Sequence, residues 1–226
     1  MTDYYKTKLA ADRLRGVYEV APPRVRQYLE AEIVHVMSRL HSSDTVLELG
    51  CGYGRVLKRL AKKVGNVVGI DNSLASLLAA DDSINNSDNI ELVCMDAVAL
   101  GFADDSFDCI ICIQNGISAF HVNPYELLKE TVRVTKPGGR LLFSSYASDF
   151  WDDRLEWFRI QSEAGQLGEI DWDATGNGVI ICKDGFHATT YNRDDFRRLM
   201  VGFDESYTLD VVDGSSLFCE IRLTER

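Results

Sequence analysis

The residues best suited to chemistry form a glycine-rich loop after a short apolar stretch. Residues 46–55 read Val-Leu-Glu-Leu-Gly-Cys-Gly-Tyr-Gly-Arg, so glycines stand at the alternate positions Gly50, Gly52 and Gly54. Glycine between a strand and a helix lets a ligand approach the backbone and leaves the amide groups at the start of the helix unmasked. The loop therefore predicts a nucleotide-like ligand held against the main chain.

The glycine spacing separates two kinds of nucleotide site. A dinucleotide fingerprint has the pattern GxGxxG, with a small sixth residue that lets helix and strand pack closely. Here the pattern is GxGxG, and the sixth position holds Arg55. This departure disfavours NAD or FAD and favours a nucleoside ligand without a pyrophosphate. An NAD(P)-dependent oxidoreductase of Rossmann topology stays open as an alternative.

Two aspartates follow the loop where strands are expected to end. Asp71 closes the apolar run 66–70, and Asp96 follows the run 90–94. A carboxylate at a strand end accepts charge-assisted hydrogen bonds from hydroxyl or amino groups, worth roughly 1.5–3 kcal/mol each. Either aspartate alone is equally typical of a helix cap or a solvated turn.

Four motifs between residues 45 and 146 together resemble the class I S-adenosylmethionine-dependent methyltransferases. The first motif of that family, an acidic residue followed by GxGxG, matches Glu48 and the glycine loop, and its second, an acidic residue ending the second strand, matches Asp71. Its aspartate after the third strand matches Asp96, and its Pro-Gly-Gly turn before the fifth strand matches residues 137–139. Any one motif is common, but four in this order and spacing are specific.

The resemblance implies S-adenosylmethionine as the cofactor and gives each matched position a role. Asp71 would accept hydrogen bonds from the ribose hydroxyls, and Asp96 from the adenine amino group. Glu48 would organise the loop or approach the ammonium of the methionine part. The expected cofactor-binding residues are Glu48, Gly50, Cys51, Gly52, Asp71, Asn72, Asp96, Ala97, Gln114 and Asn115.

Methyl transfer from a sulfonium needs alignment more than acid–base chemistry. The cofactor supplies an activated methyl group and a neutral leaving group, so the protein must orient the acceptor and exclude water. A base is needed only where the nucleophile is protonated. The candidate catalytic residues are His121, after the expected fourth strand, and Tyr146, at the end of the fifth. Solvent exposure of His121 and core packing of Tyr146 are the structural alternatives.

The surrounding elements alternate between strand and helix. Apolar runs at 45–49, 66–70, 90–94, 107–113 and 140–146 predict strands, with helical periodicity between them. This alternation favours right-handed βαβ units, and Asp-Gly pairs at 184–185 and 213–214 predict two hairpins. We expect an α/β fold: a Rossmann-like, doubly wound, mostly parallel seven-stranded sheet with helices on both faces and an antiparallel C-terminal hairpin.

Residues 1–226 are expected to form a single methyltransferase domain, with two segments outside the shared core. Residues 1–41 predict an N-terminal lid or helix, whose tyrosines either close the site or anchor the segment on the core. The Trp-rich residues 149–190 predict an insertion that shapes the substrate pocket. Within it, Arg154 and Arg159 are candidate carboxylate ligands or plain surface charges.

Composition limits the partners. The 226 residues include 24 Lys and Arg against 35 Asp and Glu, a formal net charge of −11, which disfavours nucleic acid because binding it requires a positive surface. No apolar stretch approaches the ~20 residues of a membrane span, and no secretory signal is visible, so we expect a cytoplasmic location without a membrane partner. Cys109 and Cys112 have CxxC spacing but no second ligand pair, so they are expected on opposite faces of a strand, and no metal is expected.

These observations predict an S-adenosylmethionine-dependent methyltransferase that acts on a small molecule by in-line methyl transfer to an aligned nucleophile. A protein or tRNA methyltransferase is a second alternative, which a basic groove would support. A non-catalytic module that keeps the fold is a third. Neither the attacking atom nor the oligomeric state follows from the sequence.

Overall fold

A seven-stranded sheet forms the centre of the computed structural model, which describes residues 4–84 and 87–225. Its strand order is β3-β2-β1-β4-β5-β9-β8. The strands are β1 (Thr45–Leu49), β2 (Asn66–Asp71), β3 (Ile90–Cys94), β4 (Phe107–Cys112), β5 (Thr135–Tyr146), β8 (Ser206–Val212) and β9 (Ser216–Arg222). Strands β1 to β5 pair in parallel, whereas β9 pairs antiparallel with both β5 and β8. The expected doubly wound sheet and its C-terminal hairpin are confirmed.

Helices connect the strands and cover both faces of the sheet. They are α1 (Tyr4–Thr7), α2 (Ala11–Glu19), α3 (Pro23–Met37), α4 (Leu57–Leu60), α5 (Leu74–Ile84), α6 (Gly116–Ala119), α7 (Pro124–Val134), α8 (Trp151–Glu163) and α9 (Arg193–Leu199). A separate two-stranded hairpin consists of β6 (Ile180–Ile181) and β7 (His187–Ala188). No helix within the described ranges combines the length and the apolarity that crossing a membrane would require.

The strands alternate their side chains between two apolar cores. On β1, Val46 packs in one core and Leu47 in the other, because successive side chains of a strand point to opposite faces. Cys109 and Cys112 of β4 are likewise buried in different cores. This arrangement confirms that the CxxC pair lies on opposite faces of a strand.

The Pro-Gly-Gly segment differs from its predicted conformation. It was expected as a turn before the fifth strand, but α7 passes directly into β5 at Thr135. The register then jumps from Phe107–Thr135 to Cys109–Arg140, so the residues between them bulge out of the strand. Gly138 has a φ of 74°, and a side chain at Gly139 would lie 2.9 Å from the Asp108 carbonyl oxygen. Glycine is needed here to let the bulge lie against the neighbouring strand.

A third apolar core joins the N-terminal helices to the segment after β5. The Trp157 indole of α8 donates a hydrogen bond to the Val17 carbonyl oxygen of α2 over 3.0 Å. The Tyr4 hydroxyl donates to the Asp184 carboxylate over 2.6 Å, and the Tyr4 ring packs edge-on against Phe186. The two segments outside the shared core therefore pack on each other.

Candidate functional site

A cavity of about 290 Å³ opens at the carboxyl ends of β1 and β4. The chain leaves these adjacent strands toward opposite sides of the sheet, which is the topological switch point where α/β folds bind ligands. The cavity is lined by all the predicted site residues except Asn115 and His121, namely Glu48, Gly50, Cys51, Gly52, Asp71, Asn72, Asp96, Ala97, Gln114 and Tyr146. Residues that are far apart in sequence thus meet in one place.

The glycine loop is held in its conformation by Asp71. Gly50 and Gly52 have φ angles of 69° and 54°, which glycine adopts at little cost. The Gly52 amide donates to Asp71 Oδ2 over 2.9 Å, and the Ser73 amide donates to Oδ1 over 2.8 Å. Each carboxylate oxygen has a second lone pair, so Asp71 can fix the loop and still accept ligand hydroxyls.

Glu48 is a buried carboxyl group in the cavity wall. Only 5% of its surface is exposed, and its Oε2 atom has no hydrogen-bond partner among the described residues. Burial raises the pKa of Glu48 to about 8; nearby Arg55 opposes the shift and Asp71 adds to it. The neighbouring Arg55 Nη2 is also buried without a partner in residues 4–84 and 87–225. An acceptor atom, Glu48 Oε2, and a donor atom, Arg55 Nη2, therefore lie in one wall without partners among the described residues, and together they suit a zwitterionic ligand group.

Asp96 lies at the exposed end of the cavity. Its Oδ1 accepts a hydrogen bond from the Val98 amide over 3.1 Å, so it closes the local turn. Met95 and Ala97 line the cavity beside it and provide apolar surface for a flat ring. The turn role and the proposed ligand role use different lone pairs of the carboxylate.

Gln114 connects the sheet edge to the N-terminal helices. It has a φ of 57°, and its amide donates to Glu32 Oε2 and to Ser144 Oγ, both over 2.8 Å. Its Oε1 accepts from the Tyr18 hydroxyl over 3.2 Å, while Nε2 is buried without a partner in the part of the chain that the structure describes. Gln114 therefore has a spare donor at the cavity.

Asn115 is not brought to the cavity. Its Nδ2 donates to the Thr189 carbonyl oxygen over 2.9 Å, and its Oδ1 accepts from Ser145 Oγ over 2.7 Å. Both ends of the amide thus tie β4 and β5 to the segment before α9. The role of Asn115 in this structure is to hold the sheet edge rather than to contact a ligand.

His121 is also outside the cavity. The short helix α6 directs the neighbouring Phe120 and Val122 toward the cavity and leaves His121 exposed at a φ of 52°. Its ring stacks on His187, with the centroids 6.0 Å apart. The structure does not support the predicted catalytic role of His121, because its side chain is turned away from the site.

Tyr146 does line the cavity, and burial keeps it protonated. Desolvation raises the pKa of its hydroxyl well above the ordinary value, although the Arg154 guanidinium opposes the shift. A tyrosine in this state donates a hydrogen bond but does not accept a proton at neutral pH. Tyr146 can therefore orient an acceptor, and it cannot serve as a general base.

Several cavity residues were not predicted individually. Leu9, Leu14 and Val17 contribute apolar surface from the N-terminal segment, and Gln161 and Phe186 contribute from the segment after β5. The sequence did hold one indication of these positions: Trp157 and Gln161 are about one helical turn apart, so a helix places them on the same face. Trp172, in contrast, is 56% exposed and does not line the cavity.

Comparison with known proteins agrees with this geometry. A family model described as a methyltransferase domain matches residues 46–139, which contain the glycine loop, Asp71 and Asp96. The malonyl-[acyl-carrier protein] O-methyltransferase of Marinomonas is 32% identical over 167 residues, covering 70% of this chain and 59% of that protein. Residues 46–139 of the chain therefore form a methyltransferase domain of the class I S-adenosylmethionine-dependent type. Its match to a methyltransferase model decides against the nicotinamide alternative.

One further curated methyltransferase and one solved structure extend the comparison. The 2-methyl-6-phytyl-1,4-hydroquinone methyltransferase of Synechocystis is 32% identical over 134 residues, covering 55% of this chain and 42% of that protein. The chain thus spans about 40–60% of the length of these curated relatives. A crystal structure of a putative S-adenosylmethionine-dependent methyltransferase from Methanococcus maripaludis has the same fold, with a TM-score of 0.67, 17% identity and coverage of 98% and 96% of the two chains.

Proposed function

We propose that the protein transfers the methyl group of S-adenosylmethionine to a small-molecule acceptor bound in the switch-point cavity. One observation carries this proposal. The cavity joins a polar wall, where Glu48 Oε2 has no partner among the described residues, to an apolar, aromatic wall contributed by the N-terminal helices and α8. A cofactor with a charged amino-acid end fits the first wall, and a small acceptor fits the second.

The polar wall suits the cofactor part by part. Asp71 would bind the ribose hydroxyls through its carboxylate oxygens, and Asp96 with Ala97 would bind the adenine. Glu48 would bind the ammonium group, which would give its buried Oε2 atom a partner that no described residue supplies. The cofactor supplies an activated methyl group on sulfur, and the chain supplies position, orientation and exclusion of water.

The apolar wall suits a small acceptor. Tyr5 and Tyr18 approach from the N-terminal segment, and Trp157 and Phe186 approach from residues 149–190. We infer that the first segment acts as a lid and that the second shapes the acceptor pocket. The names of the two curated relatives, an O-methyltransferase and a hydroquinone methyltransferase, support small or carrier-bound acceptors rather than nucleic acid.

The proposal is tested by measuring cofactor binding and turnover separately. Isothermal titration calorimetry should detect S-adenosylhomocysteine binding, and NAD should give no comparable heat. Release of S-adenosylhomocysteine from S-adenosylmethionine and a pool of small-molecule cell extract should then depend on active protein. Turnover only with tRNA or protein fractions would favour the protein or tRNA methyltransferase alternative. Binding without turnover on any fraction would favour a non-catalytic module.

A further inference from the structure

One face of α8 carries four buried side chains with an unusual combination of properties. Arg154, Trp157, Phe158 and Gln161 recur at positions i, i+3, i+4 and i+7, so they lie on one side of the helix. The last three line the cavity, and Arg154 lies behind that wall. The α8 face, defined by these four residues, thus presents aromatic surface together with a buried cation and an amide.

Arg154 is a buried guanidinium to which the described residues offer no compensating charge. It is 1% exposed, and its Nη1 donates to the Gly178 carbonyl oxygen over 2.9 Å. Its Nε and Nη2 have no hydrogen-bond partner, and no carboxylate pairs with it, among residues 4–84 and 87–225. A buried charge normally requires a partner, because its desolvation is expensive. The rings of Tyr146, Trp151 and Phe158 offset part of that cost through cation–π contacts, but they leave the positive charge in place, so an anion nearby would be favoured.

The guanidinium lies directly behind rings of the acceptor wall. Its centre is 4.6 Å from the Tyr146 ring centroid and 5.4 Å from that of Phe158, and both rings line the cavity. A charge held in this apolar environment is weakly screened, so its field extends through the ring layer. The acceptor end of the cavity is therefore favourable for negative charge.

Gln161 contributes a hydrogen-bond donor, which also favours an acceptor ligand such as an anion. It is 2% exposed, and its Nε2 is buried without a partner in the described part of the chain. An amide N–H that lines a cavity favours a ligand oxygen that accepts hydrogen bonds. The unsatisfied atoms of the α8 face are all hydrogen-bond donors. They therefore disfavour a ligand whose group at this end of the cavity can only donate hydrogen bonds.

We propose that the α8 face recognises an acceptor whose attacking atom is an oxyanion, such as a carboxylate, phenolate or enolate, carried on an apolar, ring-sized body. Gln161 binds the acceptor through its amide, and Arg154 acts as a positioning residue through its charge. This inference rests on the proposed function, because it assigns the acceptor class of the same cavity.

The chemistry balances without a base. A lone pair of the acceptor oxygen forms the new O–CH₃ bond, and the electron pair of the S–CH₃ bond returns to sulfur, which leaves as a neutral thioether. No proton changes place, since the acceptor arrives ionised. This agrees with the site, where His121 is turned outward and Tyr146 stays protonated.

The test compares anionic and neutral probes of the same shape. The protein saturated with S-adenosylhomocysteine is titrated with 4-nitrophenolate and 4-nitroanisole, with benzoate and benzamide, and with 2-naphthoate and 2-naphthamide. At least one anionic member should bind about tenfold more tightly than its neutral partner. If no anionic member binds more tightly than its partner, the inference is wrong. Absence of S-adenosylhomocysteine binding would instead overturn the proposed function.

Two variants and a control assign the preference to the α8 face. Arg154→Met and Gln161→Leu should each weaken binding of the preferred anion about tenfold while S-adenosylhomocysteine binding is unchanged. Arg159→Gln is the matched control, because Arg159 is an exposed arginine of the same helix that pairs with Glu156 and Glu163. It should leave anion binding unchanged. An equal loss in Arg159→Gln would show that the helix's general charge, not its buried face, is responsible.

Thermal unfolding separates recognition from a structural role. Without an acceptor, Arg154→Met should unfold at the same or a higher temperature than the wild type, because it removes an unpaired buried charge. A lower unfolding temperature combined with unchanged anion selectivity would show that Arg154 only supports the fold. Gln161→Leu, which fills a similar volume, keeps the inference testable even if Arg154→Met fails to fold.

Discussion

At the scale of single residues, Asp71 holds the glycine loop and is the proposed ligand of the cofactor ribose. Replacing Asp71 by Ala removes the acceptor of the Gly52 amide and the proposed acceptor of the ribose hydroxyls. Cofactor binding should weaken by about 1–3 kcal/mol, the range for loss of a charged hydrogen-bond partner. Calorimetry with S-adenosylhomocysteine measures this loss, and Asp81→Ala, an exposed aspartate on α5, is the control. Unchanged affinity in a folded Asp71→Ala variant would reject the ribose role.

If Glu48 binds the ammonium group as proposed, cofactor binding should depend on pH. Its pKa of about 8 means that it is largely protonated at neutral pH, whereas an ammonium partner favours the carboxylate. Binding should therefore release a proton, and affinity for S-adenosylhomocysteine should rise between pH 6 and 8, by up to about tenfold per unit. Calorimetry in buffers of different ionisation enthalpy measures how many protons are released on binding.

Two controls test whether this pH dependence of binding comes from Glu48. Glu48→Gln should bind S-adenosylhomocysteine with an affinity that is flat over the same range. In the wild type, 5′-methylthioadenosine lacks the ammonium group, so its binding should also be flat. A pH dependence of equal size in Glu48→Gln would assign the proton to another group.

At the scale of elements, the loop after β1 requires glycine for two separate reasons. Gly52 has a positive φ, and a side chain there would lie 3.0 Å from the Leu14 side chain of α2. Gly165 has a similar φ of 72°, but nothing lies within 4 Å of where its side chain would be. Gly52→Val should therefore abolish cofactor binding, while Gly165→Val should lower only stability.

This comparison separates backbone strain from blockage of the site. Both variants are measured by thermal unfolding and by S-adenosylhomocysteine titration. If Gly52→Val binds normally, the loop does not hold the cofactor. If Gly165→Val also loses binding, backbone strain far from the cavity is enough to prevent binding. The loss in Gly52→Val could then not be assigned to blockage of the cavity.

The sheet was predictable because its elements are specified locally, whereas side-chain placement was not. The apolar runs before Asp71 and Asp96 predicted parallel strands, buried in β2 and only partly buried in the edge strand β3, so the order of elements follows from the sequence. The orientation of His121 depends on a positive φ after the four-residue helix α6, which no periodic pattern indicates. Likewise, the burial of Arg154 depends on contacts with Tyr146 at the end of β5 and with Gly178, which lie outside the local sequence pattern of α8.

At the scale of the whole molecule, α3 places an acidic side chain against the middle of the sheet. Glu32 is fully buried and accepts a hydrogen bond from the Gln114 amide over 2.8 Å, and its Oε1 contacts the Ser216 hydroxyl. It thereby joins α3, the end of β4 and the start of β9. A carboxyl in an amphipathic helix pattern is expected at the surface, so the sequence did not predict this connection.

Glu32 should make stability fall as pH rises. Burial raises its pKa to about 7, so the folded state favours the protonated form, and stability present below pH 4.5 is lost as pH rises toward 7. Glu32→Gln keeps the acceptor for Gln114 and stays neutral. Its free energy of unfolding should match that of the wild type at pH 5 and exceed it by on the order of 2–3 kcal/mol at pH 8, a rise of several degrees in unfolding temperature.

Glu30→Gln, on the exposed side of α3, is the control for the Glu32→Gln prediction. Arg59 lowers the Glu30 pKa, so that variant should lose a little stability above pH 5. A Glu32→Gln variant less stable than the wild type at pH 8 would mean that the buried carboxyl is ionised and favourably paired, contrary to this account.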